Sequence, residues 1–242
     1  MSEVYIVSST RTAIGKFNGT ISDVSSIDLG GIVIKEALQR SNVPKNMIDE
    51  IIMGNGLQIE PRGNPAREAA LKAGMNIETT AFTVNKNFGS SNKAINLAHA
   101  LISSGNANII IAGGMENMSS APYVLRDVRK GFRMGDRIVS DLLTDLLEGM
   151  GLTAENLAEK YNISREEQDE LSYLSHMRAW NAQEKGYFKE QIVDIPIKDK
   201  KGDIIFNKDE GIRPDTTIEV LSKLQPVFKK DGTVTAGNSS SI

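Results

Sequence analysis

The apolar positions of this chain change period repeatedly over its first 117 residues. The β-branched stretch "EVYIVSSTRT" ends in a glycine-containing turn and predicts a strand. From Ser26 to Arg40, the residues Ile27, Gly31, Ile34 and Leu38 share one face of a helix. "IDEIIMGNG" predicts a short strand ending at Gly54-Asn55-Gly56. "NPAREAALKAGM" predicts a helix, with Asn64 as its cap, Pro65 in its first turn and Gly74 near its end. "TAFTVN" predicts another strand, Ser91 to Ser104 a helix, and "ANIIIAGG" an unbroken strand of the fully buried type. Such strand-helix alternation implies an α/β layer with right-handed crossovers.

The texture changes after Glu116. "NMSSAPYVLRDVRKGFRMGDR" is loop-rich and basic, and two or three helices follow. The clearest starts at Ser164, where "SREE" offers a capping box with Glu167, and runs to about Gly186 with Leu171, Leu174 and Met177 on one stripe. "DIPIKDKKGDIIFNKDEG" predicts a hairpin with a charged turn at Lys200 to Asp203.

Composition narrows the function classes. The 242 residues carry a net charge of −3 with both signs interspersed, unlike the basic stripe of a nucleic-acid binder. No apolar run reaches membrane-spanning length, and the N-terminus lacks a secretory pattern, so a cytoplasmic protein is expected. Cysteine is absent, which removes disulfides and thiolate metal sites. The two histidines, His99 and His176, have no metal-ligand spacing around them.

One stretch has the layout of an active-site elbow. "TVNKNFGSSNKAINLAHALISSG" places Asn87-Phe88-Gly89-Ser90-Ser91 before a helix carrying Ala94, Ile95, Leu97, Ala98, Ala100, Leu101 and Ile102, which is expected to be buried on several sides. A helix N-terminus offers unpaired N–H groups and partial positive charge, which stabilise a thiolate. The layout suits a nucleophilic cysteine. Phe88 has no lone pair and no proton to give. Two plain readings stand beside this one: a core phenylalanine in an ordinary turn, or apolar bulk filling space that substrate would use.

Taken in order, "RTAIGKFNG", "GNPAREAALKAG", "TVNKNFGSSNKA", "IIAGGMENMSSAPYVL", "GFRMGD", "LTAENLAEKYNISREEQDE", "SHMRAWNAQEKGYFKEQIV" and "KDGTVTAGNSSSI" resemble the biosynthetic thiolases, the acetyl-CoA C-acetyltransferases, from end to end. The resemblance implies a layered α/β half, a mixed sheet with helices on both faces, over 1–117 and lacking its last strand. It implies an inserted helical loop domain over 118–242 that carries coenzyme A contacts and oligomerisation, the latter around Arg126 to Asp136. The family's C-terminal half, with its catalytic histidine, second cysteine and asparagine-held water, is expected to be absent from these residues.

Carried over position by position, the family nucleophile falls on Phe88. The histidine of the pantetheine channel falls on Gly149, while the methionine after it is kept as Met150. The coenzyme-contacting arginine falls on Arg213, a nucleotide-holding serine on Val220, and a pantetheine-contacting serine on Ser240. The resemblance thus implies substrate contacts at Met150, Arg213 and Ser240, and no catalytic residue. It implies acyl-CoA as substrate without a separate cofactor. Thiolase subunits or a separate C-terminal half are the implied protein partners. His176 is expected on a loop-domain helix surface and His99 at a packing face.

Overall fold

The computed structural model describes residues 3–58, 63–125, 129, 131, 139–147, 149–198 and 202–241. In chain order the elements are β1 (Arg11–Thr12), α1 (Ser26–Ser41), β2 (Glu50–Gly54), α2 (Pro65–Lys72), β3 (Thr80–Val84), α3 (Ser90–Ser103) and β4 (Ile110–Gly114). Then come β5 (Tyr123–Leu125), β6 (Val139–Asp141), α4 (Leu142–Leu147), α5 (Met150–Tyr161) and α6 (Arg165–Glu184). β7 (Ile192–Val193), β8 (Ile195–Ile197), β9 (Ile204–Phe206) and α7 (Ile218–Ser222) complete the order.

The chain forms two compact units. One comprises 1–13, 18–122 and 190–207; the other comprises 14–17, 123–189 and 208–242. The segment 190–207, which a linear division near residue 117 assigns to the second part, lies in the first unit.

In the first unit β2 is the middle of a parallel sheet of order β3-β2-β4. Side chains alternate along a strand, so Ile51 and Met53 face one way and Ile52 the other. Ile51 and Met53 join Ile27, Ile34, Ala66, Ala69 and Ala70 of α1 and α2 in one core. Ile52 packs with Ala94 and Ala98 of α3, alongside Phe82, Val84 and Ala112. Helices therefore cover both faces of the sheet. That explains why β2 reads as a continuous apolar run. A smaller cluster gathers Ala13, Ile21, Leu29, Ile195 and Phe206 beside the antiparallel pair β8-β9. The expected hairpin is this pair; the central residues of its turn, 199–201, lie outside the described residues.

The caps act as their chemistry predicts. The Asn64 side chain accepts from the Arg67 amide, with Pro65 in the first turn of α2. Ser164 and Glu167 form a reciprocal capping box at the start of α6.

Four expectations need correction. The N-terminal segment pairs only at Arg11–Thr12, with Ile192–Val193, and Tyr5, Ile6 and Val7 are exposed. β propensity favours a pleated, half-buried surface, and no described neighbour supplies a ladder for residues 3–10. β4 is half-buried, because it is an edge of the sheet. α3 buries a single stripe, Ser90, Ala94 and Ala98, and leaves Ile95 49% exposed. Leu171 points to solvent, so the predicted stripe of α6 is not a core face along its whole length.

Candidate functional site

The strands β2 and β4 both end in glycine, and Gly54 lies opposite Gly114 in the ladder. The first turn of α3 rests on this pair. A Cβ on Gly54 would lie 2.5 Å from the Ser90 carbonyl carbon and 2.6 Å from the Ser91 nitrogen. A Cβ on Gly114 would collide with the Ser91 hydroxyl. Two missing side chains thus let a helix N-terminus sit directly on the sheet.

The turn above them is tightly held. Asn87 has φ 48°, the left-handed region that asparagine tolerates better than most residues. Its amide donates to Asn85 Oδ1 at 3.0 Å, and its carbonyl accepts from Ser90 Oγ. Ser90 Oγ in turn accepts from the Lys86 amide at 2.9 Å. Gly89 caps α3 without a side-chain bond, and the Ser90 amide donates instead to the Asn87 carbonyl at 3.1 Å. Phe88 stands at this turn with 59% of its surface exposed. It is not a core residue. The turn presents it outward, as an elbow presents a nucleophile.

A carboxylate lies below the turn. Glu116 accepts from the amides of Gly56 (2.7 Å) and Leu57 and from the Asn55 side chain (2.8 Å). Burial of its carboxyl pushes the pKa up, and these three donors only partly offset it. The residue as a whole is exposed, so the burial that raises its pKa is that of the carboxyl end alone. Asn55 is 1% exposed, and its Oδ1 has no partner among the described residues. Asn85 ties the elbow to the same loop by donating to the Gly56 carbonyl at 2.9 Å. Asn55 and Glu116 were not legible as site residues, because no periodic pattern marks a side chain that serves loop amides.

The second unit holds the expected ligand contacts. Met150 begins α5 and is 48% exposed, following Gly149 at φ 82°. The Phe228 ring lies against Gly151, where any Cβ would meet it. Arg213 is exposed at the start of a turn in which the Thr216 amide donates to the Arg213 carbonyl at 3.2 Å. Pro214 fills the next place, where its fixed φ favours the turn. Ser240 is exposed, and its neighbour Ser241 reaches the surroundings of Gly211. Val220 is exposed.

Two buried carboxylates hold these loops. Glu155, 3% exposed, accepts from the amides of Thr233 and Val234. Its burial acts to raise the pKa, but those amides, the Thr233 hydroxyl and nearby Lys229 leave it below the ordinary value. Asp169, 2% exposed, pairs with Arg165 at 2.8 Å and accepts from Asn238 at 3.0 Å. Arg165 also donates to the carbonyls of Leu221 and Leu224. The segments 221–224 and 233–239 are thereby tied to α5 and α6.

A family model described as "Thiolase, N-terminal domain" matches residues 4–242. The chain belongs to the thiolase family. It is 46% identical over 250 aligned residues to a "Probable acetyl-CoA acyltransferase" of Staphylococcus epidermidis, aligned over 100% of this chain and 64% of the relative. A Staphylococcus aureus protein of the same name is 47% identical with the same coverage. The structure superposes on the Bacillus anthracis acetyl-CoA acetyltransferase with a TM-score of 0.94 and 42% identity, covering 98% of this chain and 62% of that one. The chain therefore spans about 64% of the length of the curated relatives it matches.

For this thiolase-family chain, the residue at the elbow is phenylalanine, and all 242 positions lack cysteine. His176 lies on a helix of the second unit, as expected, and His99 does not lie where expected. His99 is exposed on α3 rather than in a packing face. His176 is half-buried on α6, and its Nδ1 accepts from the Arg213 amide at 3.2 Å. Most of the basic run from Arg126 to Asp136 lies outside the described residues. Among the described residues no group of three or more His, Asp or Glu side chains could hold a metal, and no helix is long and apolar enough to cross a membrane.

Proposed function

We propose that this chain is a thiolase-family acyl-CoA domain without the acyl-transfer step, keeping a weakened hold on coenzyme A in its second unit. The observation that carries the first half of this reading is the outward-facing phenyl ring at position 88, on an otherwise intact elbow. An acyl group cannot be taken up where there is no lone pair. In a serine protease, loss of the nucleophile alone lowers turnover by roughly a millionfold. Nor can phenylalanine line an oxyanion hole, because it has no hydrogen to donate.

The hold on coenzyme A rests on Arg213 and Ser240, both exposed, and on Met150. A guanidinium pairs well with phosphate oxygens. The glycine at 149 and the valine at 220 offer fewer contacts than the family's side chains there. A non-catalytic role as a coenzyme- or subunit-binding module follows from the same observations.

Two measurements test the reading. Purified chain assayed for acetoacetyl-CoA cleavage with coenzyme A should match a mock preparation. Turnover that survives further purification overturns the inactivity. Calorimetric titration with coenzyme A should show weak binding that Arg213→Ala removes. Binding unchanged by that substitution overturns the site.

A further inference from the structure

Arg213 is fixed at both ends of its own backbone, while its exposed side chain bonds none of the described residues. Its carbonyl accepts from Thr216, closing the turn through Pro214. Its amide donates to His176 on α6 at 3.2 Å. α6 is also the helix whose Asp169 and Arg165 anchor the neighbouring segments. Among the described residues, His176 is the side chain that links α6 to the backbone of Arg213 itself. A ring nitrogen that accepts carries no proton, so His176 is the neutral tautomer with its hydrogen on Nε2.

We infer that His176 is a positioning residue: by accepting the Arg213 amide it sets where the guanidinium stands for the phosphates of coenzyme A. The inference rests on the coenzyme reading above. It adds a residue that touches no ligand and acts through another.

Protonation would undo this contact. An imidazolium carries hydrogens on both nitrogens, so Nδ1–H would face the Arg213 N–H. The charge would also stand near the Arg213 guanidinium. Burial lowers the His176 pKa, the guanidinium lowers it further, and Asp215 acts in the opposite sense. On α6, Tyr173 lies one turn away. α7, packed on α6, carries Glu219 and Lys223, which pair with each other at 2.6 Å. The closed turn therefore binds fewer protons than the open one. Its advantage is present above the ordinary histidine pKa and is lost as pH falls through the lowered value.

The test uses the whole 242-residue chain, the variants His176→Ala and His176→Asn, and two readouts. Asparagine keeps an accepting oxygen but does not titrate. The first readout is hydrogen exchange of the Arg213 amide, which needs no ligand. At about pH 8 the native chain should protect this amide roughly 3- to 10-fold more than the alanine variant, as one net hydrogen bond implies. The asparagine variant should recover most of that protection. As pH is lowered stepwise from about 8 through and below the ordinary histidine range, after correction for intrinsic exchange, protection should fall in the native chain and hold in the asparagine variant. Equal protection in the native and alanine chains, or a native profile that does not change with pH, overturns the latch.

The second readout is calorimetric titration with coenzyme A, comparing the three chains at the same pH so that the ligand's own ionisation cancels. Affinity at about pH 8 should drop roughly 3- to 10-fold in the alanine variant and be largely restored by asparagine. Unchanged affinity with lost protection overturns the positioning role. If coenzyme A binds none of the three chains, the coenzyme reading falls, and amide exchange still decides whether His176 holds the turn.

Discussion

The elbow of the first unit and the ligand loops of the second are held by opposite means. At the elbow, backbone presses on backbone. Gly54 and Gly114 withdraw their side chains so that the start of α3 can lie on the sheet, and the fixed atoms belong to Ser90 and Ser91 rather than to Phe88. In the second unit, side chains reach across. Glu155 and Asp169 extend from α5 and α6 to hold loop amides and Asn238. The difference separates function from stability in one place and joins them in the other. The residue at 88 can change without disturbing what supports it. The exposed Ser240 directly follows a segment that depends on buried charge, so a stability defect there also disturbs a candidate ligand contact.

The largest expected effect tests the second half of that contrast. Asp169→Ala leaves Arg165 without its carboxylate partner and Asn238 with the Thr233 carbonyl as its remaining acceptor. Breaking a buried ion pair by removing one member costs about 3–5 kcal/mol, and the partly exposed Arg165 points to the low end. Urea unfolding should show that loss. Hydrogen exchange should rise first in 233–239, ahead of the strands of the first unit. A uniform rise across both units would mean that Asp169 stabilises the whole chain and does not anchor this segment.

A smaller effect tests the first half. Gly54→Ala puts a methyl group against the Ser90–Ser91 backbone, which cannot turn aside, and overpacking of this kind costs about 1–3 kcal/mol. Gly114→Ala meets chiefly the Ser91 hydroxyl, which can rotate to another staggered position, so its cost should be lower. Adding Ser91→Ala should relieve Gly114→Ala and leave Gly54→Ala as it was. The reverse order of urea midpoints would show that the helix, rather than the ladder, yields at this contact.

These two contrasts also mark what the sequence could convey. α1 and α2 were legible because their apolar period and the Asn64-Pro65 cap agree. β2 was legible as a run buried on both faces, with Ile51, Ile52 and Met53 at 0–1% exposure. α3 was legible as a helix but not in its burial. Its apolar residues outnumber the one stripe the sheet can cover, and composition does not say which side has a neighbour. The strand expected over residues 3–10 failed for the same reason, since a ladder needs a partner that β propensity cannot supply. In the site, Phe88, Met150, Arg213 and Ser240 came from motif resemblance. Asn55, Glu116 and His176 bond mainly to distant backbone groups, which leave no spacing to read.

The smallest effect on stability is expected at the most conspicuous residue. Phe88 is 59% exposed, so Phe88→Cys removes little packing and should change stability by about 0.5 kcal/mol or less. Its consequence should be chemical. The new thiol would stand at the turn into α3, at the positive end of the helix dipole. A thiol beside such a helix start ionises below the ordinary value of about 8.5. Nearby Lys86 adds charge of the same helpful sign. Ultraviolet titration of thiolate absorbance should therefore give a lowered pKa, and the rate of reaction with a disulfide reagent should level off at correspondingly lower pH. Cleavage of acetoacetyl-CoA should stay at background, because the substitution supplies a nucleophile without a base or a general acid. A thiol that ionises at the ordinary value would show that the elbow positions residue 88 outside the field of the helix, and that more than one side chain separates this turn from a working one.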